Sequence, residues 1–93
     1  MTSPDLNATL DQRGARYGTF AGHATISQHL KQVIDTYADD RGCTLAADQR
    51  EALHMIAHKI ARILNGDPNY HDSWLDIAGY AMLVSDRLTG LER

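Results

Sequence analysis

The chain has 93 residues, a formal charge of −3 and a single cysteine, Cys43. That length holds one small domain whose own core contributes only a few kcal/mol of net stability, so self-association would help it. The acidic balance argues against a general DNA or RNA binder, which needs a basic face to displace counterions, but leaves room for a small anionic ligand held by a local positive cluster. One cysteine forms no intrachain disulfide and suits a reducing compartment. No apolar run reaches the ~20 residues of a membrane span and the N-terminus lacks signal-peptide features, so a soluble protein of the cytoplasm is expected, with no membrane partner.

Residues 1–12 read as a frayed start with a short helical turn near Ala8–Arg13. Residues 13–23, Arg-Gly-Ala-Arg-Tyr-Gly-Thr-Phe-Ala-Gly-His, read as a glycine-rich loop, since three glycines interrupt any helix. A helix over 24–41 follows, with Ile26, Leu30, Val33 and Tyr37 as its buried stripe and Ser27, Lys31 and Asp35 on a second face open to solvent, ligand or another subunit. Thr44 is the expected N-cap of a helix over 46–65 that buries Leu53, Ile56, Ile60 and Leu64 and stops at Asn65-Gly66. After Asp67-Pro68, Asp72 or Ser73 caps the last helix, 72–89, whose stripe is Trp74, Ile77, Ala78, Ala81, Met82 and Leu88. Gly79 inside that helix points to a close helix–helix contact. The expected fold is therefore all-α, a compact single-domain bundle of three main helices with a C-terminal helical hairpin, assembling as a homo-oligomer.

Two groups of residues carry possible chemistry. Arg13, Arg16, Tyr17, Phe20, His23 and Lys31 combine cations for a phosphate with aromatic rings for a base, which is how a protein grips a nucleotide. The plain alternative is that Tyr17 and Phe20 anchor the loop to the core while the charges are solvated. Glu51, His54, His58 and Arg62 form a polar line at helical spacing that would face Asp72, Asp76 and Tyr80 of the last helix. Two histidines four residues apart can share a metal, yet Met55 stands where a His-Glu-x-x-His protease needs glutamate. An all-α nucleotide pyrophosphohydrolase of the MazG group would require Glu-x-x-Glu ligands for magnesium, and the chain contains no such motif. A register-fixing network of Asp72 or Asp76 with His58 and Arg62 is the structural alternative. No nucleophile, metal set or cofactor can be assigned, so binding without catalysis is expected.

Arg16-Tyr-Gly-Thr-Phe, Gln28-His-Leu-Lys, Gln49-Arg-Glu-Ala-Leu, His58-Lys-Ile-Ala-Arg-Ile-Leu-Asn-Gly-Asp-Pro and Asp72-Ser-Trp-Leu-Asp-Ile-Ala-Gly-Tyr-Ala together resemble the phage anti-CBASS family of cyclic-nucleotide sponges over about residues 13–88. The resemblance implies a helical homohexamer in the cytoplasm of an infected bacterium. Such a hexamer sequesters cyclic dinucleotides made by cGAS-like enzymes without cleaving them. It also implies that Tyr17 stacks on a base and Lys31 meets a phosphate. Members of that family bind cyclic trinucleotides at a separate site near the symmetry axis, for which Lys59 and Arg62 are the charged candidates here.

Overall fold

The protein was analysed as a computed structural model that describes residues 4–93. It is all-helical: α1 spans Pro4–Tyr17, α2 Phe20–Asp40, α3 Ala47–Asn65 and α4 His71–Leu88. Residues 1–3 of the expected frayed start lie outside the described residues. No described helix is long and apolar enough to cross a membrane.

The three long helices fall close to the expected spans, but the glycine-rich loop at 13–23 does not exist as one. Helix α1 runs through Gly14, whose absent side chain faces open space, and only Gly18 and Thr19 separate it from α2. An exposed glycine costs a helix roughly 1 kcal/mol, too little to break it when its neighbours favour the helix. Gly18 is the real stop: its φ of 75° suits glycine, and its N–H closes onto the Gly14 carbonyl at 2.9 Å. Thr19 then caps α2 by accepting from the Gly22 N–H at 3.2 Å.

Further along, α2 ends where the Cys43 N–H bonds back to the Ala38 carbonyl at 2.8 Å. Two expected caps move by a residue or two. Ala46, not Thr44, precedes α3, and the Gln49 side chain reaches back to accept from the Ala46 N–H at 2.9 Å. Tyr70, not Asp72 or Ser73, precedes α4; Asp72 lies in the first turn, where a carboxylate complements the helix dipole.

Helix α3 is the centre of the molecule, with α2 and α4 packed on separate flanks and α1 lying more lightly against α2 and α3. The expected apolar stripes are only partly covered by these contacts, with Ile26, Leu30, Ile56 and Ile77 half-buried. Between the helices lie Ala38, Ala52, Ala57, Ala61 and Ile63, together with His23, Ser27, Lys59 and Ser73. Val33 and Tyr37 of α2, Leu53, Ile60 and Leu64 of α3, and Trp74, Met82 and Leu88 of α4 are exposed instead. Gly79 makes no close contact, because its side of α4 faces outward. Small residues inside let the helix backbones approach, and many of the large apolar side chains are left on the outside of the protomer.

The surface reflects this arrangement. The protomer exposes 6618 Å², against about 5,350 Å² for a typical monomer of its mass. Its radius of gyration is 15.6 Å, where a compact domain of this length has about 12 Å.

Candidate functional site

The turn between α3 and α4 is fastened to the turn between α1 and α2. The Asn65 amide donates to the Tyr17 carbonyl at 2.7 Å and to the Thr19 carbonyl at 2.9 Å, and the Asp67 N–H donates to the Arg16 carbonyl at 2.6 Å. Gly66 is required by this approach: a β-carbon there would overlap the backbone of Arg16 and Tyr17. Asn65-Gly66 therefore does more than stop α3. It fixes the end of α1 and, with it, the direction of Tyr17.

Tyr17 is the last residue of α1, half-buried rather than held on a loop. Its ring meets Tyr70 edge-on at 6.0 Å between centroids, and the Arg62 guanidinium lies over it at 4.4 Å from the ring centre. The Arg16 guanidinium lies over Tyr70 at 4.8 Å. Around Tyr17 opens a cavity of about 480 Å³ whose polar and aromatic lining is Arg13, Tyr17, Phe20, His23, His58 and Arg62. Phe20, expected as a possible core anchor, is 80% exposed and presents its ring at the mouth of α2. Thus Arg13, Tyr17 and Phe20 converge with Arg62, while Arg16 turns away toward the α3–α4 connection.

Lys31 does not line this cavity. It lies in a separate concavity of about 580 Å³ with Gln28, Gln32, Asp35, Asp39 and His54. Lys59 and Arg62 also part company: Lys59 is buried and paired with Asp76 of α4 at 2.9 Å, whereas Arg62 belongs to the Tyr17 cavity. Of the polar line of α3, His54, His58 and Arg62 face α2 and α1, and only Glu51 lies on the α4 side near Tyr80. His54 bonds Asp35 at 2.8 Å, Arg50 bonds the same carboxylate oxygen at 2.5 Å, and His58 meets His23. The expected network of Asp72 or Asp76 with His58 and Arg62 is replaced by these pairings. Glu51 lines a different concavity with Tyr80 and Arg87, the latter held by Asp48 through two bonds of 2.6 Å.

His23 and His58 are the residues of the cavity that spacing does not pair. Nε2 of His23 and Nδ1 of His58 are 3.3 Å apart, with the rings edge-to-face at 4.4 Å. His23 is 5% exposed, and its Nδ1 has no hydrogen-bond partner. Burial lowers the pKa of both imidazoles, and the charges of Arg62, Lys31 and Lys59 lower them further; His58 falls to about 4. Both shifts favour the neutral imidazole, and in the contact an N–H of one ring donates to the lone pair of the other. The polar lining of the cavity holds two arginines and no carboxylate, so it favours an anion over a metal cation.

Residues 6–88 match a family described as a domain of unknown function (DUF6378), and the chain belongs to that family. No curated protein and no solved structure matches it.

Proposed function

We propose that the protein is a phage immune-evasion protein that binds and sequesters cyclic dinucleotides, with cyclic trinucleotides as a second ligand class, and releases them uncleaved. The observation that carries this reading is the cavity in which two guanidinium groups, a tyrosine and a freely exposed phenylalanine line one open cleft. Arginine on a phosphodiester and an aromatic ring on a base are the two contacts such a ligand offers. The cavity has no carboxylate to hold a divalent cation, and among the described residues no three His, Cys, Asp or Glu side chains converge to hold one. That arrangement favours retention of a nucleotide over metal-assisted hydrolysis of it.

Assembly as a homo-oligomer, with the hexamer implied by the resemblance, belongs to the same reading. The exposed faces of α3 and α4 carry Leu53, Ile60, Leu64, Leu75, Met82 and Leu83, apolar side chains that further copies of the chain would cover. Surface beyond that of a typical monomer exceeds the ~800 Å² that each partner contributes to a standard interface. Tyr17 and Lys31 open onto different concavities of one protomer. On this reading, a site that uses both joins the Tyr17 side of one subunit to the Lys31 side of another.

Calorimetry against a panel of cyclic di- and trinucleotides tests the proposal, followed by chromatography of the recovered ligand. Binding with intact ligand is expected. Absence of binding across the panel, or new nucleotide products from the ligand or from nucleoside triphosphates with magnesium, overturns it.

A further inference from the structure

We propose that His23 and His58 form an anion-sensing pair within the Tyr17 cavity, which takes a phosphodiester oxyanion of the ligand together with one proton from solvent. Two neutral imidazoles in contact across α2 and α3 are an odd choice for a structural bond alone. An alanine pair would pack such an interface without desolvating four ring nitrogens, and His23 Nδ1 is buried with nothing to bond. The pair has a use if it gains a partner when the cavity fills.

The charges around the rings decide which partner that is. From α1 the cavity receives Arg13 and Tyr17; from α2, Lys31 acts on the rings through space; from α3, Arg62 and Lys59 do the same. The carboxylates nearby are committed elsewhere: Asp35 to Arg50 and His54, and Asp76 of α4 to Lys59. The cluster thus has a positive surplus that repels a cation and suppresses protonation of the empty site. Helix α2 adds to it, since its N-terminus opens at Phe20 with no acidic residue in the first turn.

An oxyanion entering between Arg13 and Arg62 reverses that balance. It offsets the repulsion that adds to burial in keeping the imidazoles neutral, and gives the charged form a partner, so one ring takes up a proton and becomes a charge-assisted donor to the anion. The shared proton can sit on either ring, because each imidazole can relay to the other across the 3.3 Å contact. Affinity then rises as pH falls toward the midpoint of the empty site. The identity of the anion rests on the cyclic-dinucleotide reading; the charge class of the site rests on these side chains alone.

Two probes separate the two claims, sulfate and cyclic di-AMP, neither of which changes its own charge near neutral pH. Nuclear magnetic resonance of the imidazole protons, with sodium sulfate against sodium chloride at matched ionic strength, should raise the His58 midpoint from about 4 by about three pH units, the shift that a tenfold gain in affinity between pH 8 and pH 6 requires. Cyclic di-AMP should bind roughly tenfold more tightly near pH 6 than near pH 8. His58→Asn, which keeps a hydrogen-bonding group where Nδ1 stands but does not titrate there, should weaken that dependence by leaving His23 to titrate alone. If sulfate shifts the midpoint while the dinucleotide binds at neither pH, the anion site stands and the dinucleotide reading falls. If the dinucleotide binds equally at both pH values and sulfate moves neither imidazole, the sensing pair is overturned and the dinucleotide reading stands. Should His58→Asn fail to fold, the sulfate titration of the wild-type protein decides.

Discussion

Tyr17 enters the cavity with two neighbours already in place, since Arg62 lies over its ring and Tyr70 against its edge. Pre-organisation of this kind lowers the side-chain ordering that a ligand must impose, roughly 0.5–1.5 kcal/mol per immobilised group. Tyr17→Ala should weaken dinucleotide binding about tenfold or more, and Lys31→Ala should do the same by removing a charge-assisted bond worth about 1.5–3 kcal/mol. Calorimetry checks both, with circular dichroism to confirm that the helices persist; unchanged binding in both folded variants would move the site elsewhere. His58 makes a separate prediction about stability. Its folded pKa of about 4 lies below the ordinary 6.5, so the unfolded chain binds more protons and stability declines as pH falls from 6.5 through about 4. The decline attributable to this one group is at most about 3 kcal/mol. Urea unfolding across that range should show it in wild type and a flatter profile in His58→Asn.

Among the elements, α1 is the one held chiefly through its end. Asn65→Ala removes both amide bonds to the Tyr17 and Thr19 carbonyls and leaves those groups to find water, at a cost of about 1–3 kcal/mol. Hydrogen exchange should then quicken in α1 first, ahead of α3 and α4; uniform loss of protection would mean that the turn clasp supports the whole fold rather than one helix. The same junction shows what a sequence discloses and what it withholds. Asn65-Gly66 reads as a helix stop because capping is local, and the long helices follow from such local signals. The clasp itself joins residues 46 and 48 positions apart, so spacing along one helix cannot announce it. Three glycines within residues 13–23 suggest a loop, yet Gly14 sits on an open helix surface and only Gly18 reverses the chain. Apolar periodicity fared similarly. It identifies Leu53, Ile60, Leu64 and Met82 as side chains in need of cover without saying which polypeptide covers them, and the protomer leaves them bare. In the candidate site, Arg13, Tyr17 and Phe20 are legible because they are neighbours in sequence; Arg62 over Tyr17 and His58 beside His23 are products of the fold.

At the scale of the molecule, polar and small residues occupy the helix contacts while many large apolar ones look outward, so folding and association should be one equilibrium. The melting temperature of the protein should climb with its concentration, as it does when only the assembled form is stable. Scanning calorimetry over a hundredfold dilution, paired with light scattering, checks this; a monomer with a constant melting temperature would sink the assembly. The separation of Tyr17 and Lys31 onto different concavities carries a genetic consequence. Two alleles, one lacking the tyrosine and one lacking the lysine, would each bind weakly alone. Mixed within one ring, a tyrosine from the second allele would regularly face a lysine from the first, restoring about one site in four. Co-expression should therefore rescue binding by intragenic complementation, whereas a site confined to one subunit would remain weak in every mixture.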